Sequence, residues 1–236
     1  MLEVRGLTAG YGAATVLHDV SISVDEGKFV VITGPNGHGK TTLLRVLSGL
    51  LPSDGGDMEF LGERLNGRSA ASIVSRGLVH IPQGDLLFVD LTVEQNLFMG
   101  AYLRDAWRGR RERIRRVYEL FPRLEERRTQ QARTLSGGER RMLGIGRGLM
   151  SNARMLMVDE PALGLAPVLV QEVYATLGSI ARTEATVLLV EETLANARGI
   201  ADYVYLMDTG RIVHEGTMSD LGEDVLHTTY LGGKGA

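Results

Sequence analysis

Phe29-Val30-Val31-Ile32-Thr33, running straight into Gly34-Pro35-Asn36-Gly37-His38-Gly39-Lys40-Thr41-Thr42, decides the reading of this chain. The first five residues are apolar or β-branched throughout, as expected of a strand buried on both faces of a parallel sheet. Gly34-x-x-x-x-Gly39-Lys40-Thr41 then fits the phosphate-binding loop pattern, and Leu43 to Leu50 reads as the helix behind it. Glycines there let backbone N–H groups turn inward around phosphate oxygens, and the helix aims its positive end at the same anion. Lys40 supplies a mobile charge for the outer phosphates, while the Thr41 hydroxyl can ligate Mg²⁺. His38 occupies a variable position of the loop and is expected to face solvent.

Working outward, Met155-Leu156-Met157-Val158-Asp159-Glu160 is a second buried-type strand, ending in two carboxylates at the edge where open α/β sheets place ligands. Asp159 suits Mg²⁺, a hard cation that prefers oxygen, and Glu160 suits a general base for water. Leu135-Ser136-Gly137-Gly138-Glu139 is a capped helix start with two glycines in its first turn, a bare electropositive end. Leu78 to Ile81 and Thr186 to Val190 add two more short buried strands. Val20, Ile22 and Val24 alternate with Ser21, Ser23 and Asp25, the period of a half-buried strand. Thr92-Val93-Glu94-Gln95 is another capping box. Tyr203 to Met207 and Arg211 to Glu215, around Asp208-Thr209-Gly210, read as a closing hairpin. The ten arginines between Arg104 and Arg128 read as a solvated helical face rather than a nucleic-acid contact.

The chain has 236 residues, 44% of them hydrophobic and 23% charged, with a formal charge of -3. That composition excludes a disordered chain and a protein charged overall for nucleic acid. It has no cysteine, which removes disulfides, thiol catalysis and Cys-based zinc sites. Its apolar runs fall far short of the ~20 residues that span a bilayer, and no secretory signal is visible. The sequence therefore predicts a soluble, intracellular α/β domain.

These motifs in this order resemble the ATP-binding subunits of ABC transporters, over essentially the whole chain. The resemblance implies a P-loop NTPase with a RecA-like, mostly parallel sheet, an N-terminal antiparallel β subdomain and an inserted α-helical subdomain. It places a single domain over 1–236, with core at 1–88 and 152–236 and helical insert at 89–151. It implies ATP and Mg²⁺, with Gly34, Pro35, Asn36, Gly37, His38, Gly39, Lys40, Thr41 and Thr42 around the phosphates. Tyr11, in Ala9-Gly10-Tyr11-Gly12, would stack on adenine. Gln83 would touch Mg²⁺ and the attacking water, with Thr41 and Asp159 as the other metal ligands. Glu160, Gln83 and Lys40 would carry hydrolysis. A head-to-tail dimer would let Ser136, Gly137 and Gly138 of one subunit complete the site of the other.

Leu120-Phe121-Pro122-Arg123-Leu124, Gly164-Leu165-Ala166-Pro167 and Tyr230-Leu231-Gly232-Gly233 narrow the resemblance to branched-chain amino acid importer ATPases, with urea and short-amide importers as near alternatives. The implied partners are two integral-membrane permeases, a second ATP-binding subunit and, indirectly, an extracytoplasmic substrate-binding protein, at the cytoplasmic face of the cell membrane. Two other classes stand against this: a soluble ABC ATPase acting on nucleic acid or ribosomes, and a regulatory module that binds ATP but hydrolyses it poorly. The chain lacks the second cassette or long coiled-coil insert usual in the former. Three departures stand out. Ala162-Leu163-Gly164 lacks the common Asp, Arg140-Arg141 replaces an amide pair, and Glu192 stands where most of the family has a switch histidine. Two anions at ~4 Å repel by about 4 kcal/mol at an effective dielectric of 20. Glu192, counted among the nucleotide-binding residues, is therefore expected to be protonated in the closed state, to order through Mg²⁺-bound water, or to turn away onto arginine or water. Turning away is the expectation for the isolated subunit, and Glu191-Glu192-Thr193 also reads as an acidic helix start.

Overall fold

The computed structural model describes residues 1–84 and 86–221, so the Tyr230–Gly233 resemblance lies outside the described residues. The chain opens with β1 (Leu2–Tyr11) and β2 (Ala14–Val24) and runs through β3 (Phe29–Thr33) into α1 (Lys40–Leu47). It returns as β4 (Gly55–Phe60), β5 (Glu63–Arg64), α2 (Ala70–Ser75) and β6 (Leu78–Ile81). A helical stretch follows: α3 (Val93–Gly100), α4 (Arg104–Arg108), α5 (Arg110–Leu120), α6 (Pro122–Glu126) and α7 (Gly137–Leu149). The last part is β7 (Met155–Asp159), α8 (Pro167–Thr183), β8 (Thr186–Glu191), β9 (Tyr203–Asp208) and β10 (Arg211–Gly216).

Two sheets result. The antiparallel one has the order β2-β1-β4-β5 and the larger one β10-β9-β3-β8-β7-β6. In the larger sheet every neighbouring pair is parallel except β9 with β10. This is the α/β architecture the sequence implies, including the N-terminal antiparallel sheet and the helical insertion. Every residue of β3, β7 and β8 is buried. Their apolar runs hide a period of two all the same. Phe29, Val31, Leu156, Val158, Val187 and Leu189 pack into a core shared with α3, α7 and α8. Val30, Ile32, Met155, Met157, Leu188 and Val190 face the opposite core, with α1 and the antiparallel sheet. Apolar side chains on both faces, not alternation with polar ones, are what a middle layer requires. In β2, by contrast, Val20, Ile22 and Val24 are buried while Ser21 and Ser23 are exposed.

Both expected capping boxes are present, at Thr92 and Ser136, and the closing hairpin forms with Thr209 and Gly210 at φ 43° and 74°. Positive φ at both turn residues matches the twist of the flanking strands. Two boundaries differ from expectation. The helix predicted over Leu43–Leu50 begins at Lys40, directly after the loop, and stops at Leu47. There the Gly49 N–H bonds to Val46 O at 3.0 Å and the Leu50 N–H to Arg45 O at 2.9 Å, which closes the helix. No helix starts at Glu191-Glu192-Thr193. Glu191 is instead the last ladder residue of β8, opposite Thr33, and 195–200 form turns. The arginine run is a solvated face, as expected: α5 buries Ile114, Val117 and Tyr118, while Arg110 and Arg113 satisfy backbone carbonyls and Arg116 pairs with Glu112.

Candidate nucleotide site

The loop at 34–42 hangs from the carboxyl end of β3, the centre of the parallel sheet. Gly34 has φ 154°, and a Cβ there would lie 2.0 Å from Met207 O, so only glycine lets β9 pass so close. The same approach settles His38. It is half-buried and bonded rather than free in solvent; its Nδ1 lies 2.7 Å from Asp208 Oδ1 and 3.0 Å from the Thr209 backbone nitrogen. Gly210 N–H also donates to His38 O at 3.0 Å. The turn between β9 and β10 is thereby fastened to the phosphate loop, and His38 is one of the fasteners. Lys40 folds back, with Nζ donating to Gly34 O at 2.7 Å and Pro35 O at 2.9 Å. Burial pushes its pKa down, against the pull of Glu160, Glu192, Asp159 and Glu191. Tyr11 ends β1 as an exposed residue, and its hydroxyl accepts from Arg45 of α1 at 3.1 Å.

Around this loop two neighbouring parallel strands each end in two acids. β7 delivers Asp159 and Glu160, and β8 delivers Glu191 and Glu192. Asp159 is 1% exposed, and burial raises its pKa, opposed by the Thr41 hydroxyl and Lys40. Thr41 favours its ionised form, yet neither buried oxygen has a partner at full hydrogen-bond geometry. Glu160 sits at φ 43°, a left-handed position that costs a non-glycine residue energy. Its N–H bonds to Val190 O at 2.9 Å, and its Oε2 accepts from Gln83 Nε2 at 3.0 Å. Burial raises the Glu160 pKa too, with Asp159 and Glu192 adding to the rise and Lys40 opposing it. Lys40, Thr41, Gln83, Asp159 and Glu160 thus converge.

Glu192 does not turn away. Asn36 Nδ2 donates to its Oε2 at 3.0 Å, so the carboxylate lies on the phosphate loop itself. The reason is the sheet: β8 runs beside β3, bringing the residue after Glu191 next to the residue after Thr33. Glu191 went unnoticed in the sequence as a site group. It is buried, its carboxylate accepts from the Tyr174 hydroxyl of α8, and burial pushes its pKa up to about 7. A signal existed, since Val187-Leu188-Leu189-Val190-Glu191-Glu192 repeats the apolar-run-plus-two-acids form of Met155–Glu160.

Ser136 caps α7, accepting from the Glu139 N–H at 3.3 Å and donating to the Glu139 carboxylate at 2.9 Å. Arg127 holds the same carboxylate at 2.6 Å. Among the described residues, no hydrogen bond or ion pair joins Ser136, Gly137 or Gly138 to the loop at 34–42.

The donor set fits Mg²⁺. Two buried carboxylate oxygens of Asp159 without full partners, beside the Thr41 hydroxyl, are the hard oxygen ligands such an ion takes. Among the described residues no group of three His, Cys, Asp or Glu could hold a metal alone.

A phosphate loop on the central strand, acid-tipped neighbours and a capped Gly-Gly helix on an inserted helical unit define a P-loop ATPase of the ATP-binding-cassette type. The ABC transporter family matches residues 17–163, and the chain belongs to it. It is 40% identical over 234 residues to the high-affinity branched-chain amino acid transport ATP-binding protein BraG of Pseudomonas aeruginosa, covering 99% of this chain and 100% of that protein. It is 34% identical to the probable branched-chain amino acid transport ATP-binding protein LivF of Archaeoglobus fulgidus, covering 94% of each. The ADP conformation of MJ1267, an ATP-binding cassette of an ABC transporter, superposes with TM-score 0.83 at 28% identity, covering 97% of this chain and 93% of that one. The chemistry is that of an ABC ATPase, hydrolysis of ATP to ADP and phosphate.

Proposed function

We propose that this chain hydrolyses ATP to energise import of branched-chain amino acids through two permease subunits, paired with a second ATP-binding subunit at the cytoplasmic face of the membrane. End-to-end likeness to BraG carries the substrate class. Among the described residues no helix is long and apolar enough to cross a membrane, so the membrane path falls to partners.

In this reading Lys40 trades the Gly34 and Pro35 carbonyls for phosphate oxygens, and the loop N–H groups hold the same phosphates. Thr41 and Asp159, with Gln83 nearby, would hold Mg²⁺, which supplies charge neutralisation at the transferred phosphate. Glu160 takes the proton of the attacking water; its raised pKa moves it towards the operating pH, where a general base works best. Tyr11 offers its exposed ring to adenine. Ser136, Gly137 and Gly138 complete the partner subunit's site, since among the described residues no hydrogen bond or ion pair ties them to the loop in their own chain.

A groove of about 460 Å³ is lined by Pro82, next to Gln83 in the chain, and by His80, Leu86, Phe88, Met99, Tyr102 and Arg147 among others. Leu86, Phe88, Met99 and Tyr102 are all exposed, an apolar patch on a charged surface. We assign it to a permease segment, whose seating would move Gln83 against Glu160. Purification of the tagged chain from solubilised membranes tests the reading. Two permease polypeptides should accompany it; recovery with ribosomes or nucleic acid instead would overturn it.

A further inference from the structure

We infer that Glu192 is a built-in occupant of the phosphate loop that biases the site against nucleoside triphosphate relative to diphosphate. This rests on the reading of residues 34–42 as a nucleotide site.

The backbone of Glu192 is fixed by the Thr33 hydroxyl, which donates to its carbonyl oxygen at 3.2 Å. From that anchor the side chain reaches over the loop to Asn36 Nδ2. Lys40 Nζ holds the Gly34 and Pro35 carbonyls of the same segment, so a carboxylate and an ammonium bracket residues 34–36. Lysine in such a loop serves the outermost phosphates. A terminal phosphate that draws Lys40 off these carbonyls brings its negative charge to the stretch Glu192 covers. An ionised carboxylate has no proton to donate to that phosphate; it accepts only. It must therefore release Asn36 and move out. Glu192 is exposed, so nothing packed over it blocks that movement. A diphosphate carries one phosphate fewer to this end and leaves the Glu192–Asn36 contact in place.

The sequence alone points the other way, to a side chain directed out of the site. What reverses that expectation is the pairing of β8 with β3, which no local pattern encodes. Glu192→Gln keeps an oxygen for Asn36, removes the charge and adds an N–H that can meet phosphate. Glu192→Ala removes both charge and contact.

The experiment is calorimetric titration of the full chain with ATP and with ADP, in EDTA so that no hydrolysis runs, on wild type, Glu192→Gln and Glu192→Ala. Both variants should bind ATP about tenfold tighter than wild type, the equivalent of about 1.4 kcal/mol. ADP affinity should move by less than about threefold, within the scatter of small contact changes. An unchanged ATP-to-ADP ratio in both variants overturns the inference. So does a gain shared equally by the two nucleotides, which would mark a loop-ordering role. If wild type and variants bind neither nucleotide, the nucleotide reading of the loop falls first, and that result is distinguishable because ADP binding is its own control.

Discussion

The helical stretch 89–151 and the carboxyl edge of the parallel sheet are both rich in charge, and they use it in opposite ways. The first carries fourteen arginines against eight acidic residues. Apart from Glu139 and Arg141, which α7 buries, those charges sit mostly on solvated faces or in exposed pairs such as Arg116–Glu112, and Arg110 lies over the Trp107 ring at 3.9 Å. The second gathers Asp159, Glu160, Glu191 and Glu192 around Lys40, with three of the four carboxyls raised by burial. Exposed pairs stabilise by about 0–1 kcal/mol each. Crowded, desolvated carboxyls cost folding energy, and chains keep them where chemistry uses them. The number of charges says little; their burial and convergence say most.

Four substitutions press on that contrast. Glu160→Gln should cut ATP hydrolysis by ~10²–10⁴-fold, the usual loss of a general base, while nucleotide still binds. Phosphate release measured beside equilibrium binding decides it, and near-normal turnover would remove Glu160 from the role.

The second concerns Glu191, whose pKa rises from the ordinary 4.5 to about 7 in the folded chain. The folded state holds that proton more tightly than the unfolded one. The stabilisation is therefore complete below pH 4.5 and is lost as pH rises through 7, by ~3 kcal/mol in all. Urea midpoints across that window should fall with pH in wild type relative to Glu191→Gln; parallel curves would refute the buried-acid account.

Tyr174→Phe leaves Glu191 without the hydroxyl that donates to it. It should lower unfolding stability by about 1–3 kcal/mol, the cost of an unsatisfied buried group. Combined with Glu191→Gln the penalty should shrink, and additive losses in the double variant would show that the two side chains act independently. Arg116→Ala, which breaks the exposed pair with Glu112, should change stability by about 0.5 kcal/mol or less. A loss above 1 kcal/mol there would erase the distinction between the two regions.

Much of the site was legible because its parts are local. The run Phe29–Thr33 with the loop behind it, and Met155–Glu160, announce strand, turn and charge within a dozen residues. The capping boxes at Thr92 and Ser136 are four-residue statements, and both formed. What was not legible depends on which strands lie side by side. His38 meets Asp208 because the last hairpin turns against the loop. Glu192 meets Asn36, and Glu191 is buried, because β8 lies between β3 and β7. Gln83 touches Glu160 because β6 borders β7, a proximity that the family resemblance implied but no local pattern encodes. Each contact joins residues far apart in the chain, and periodicity carries no record of strand order.

The place of β3 has a consequence for how the molecule is made. Its two edges pair with β8 and β9, through Phe29 with Val187 and Val30 with Tyr203. A ribosome emits β3 early and its partners late. The antiparallel sheet can close once residue 64 has emerged, since β1, β2, β4 and β5 are then all present. Meanwhile Phe-Val-Val-Ile-Thr waits with both edges bare through the synthesis of more than half the protein, a template for mispairing with other nascent chains. The phosphate loop, translated early, hangs from a strand whose two partners come late. A stop before residue 203 leaves β3 without its β9 partner, one edge still open to pairing.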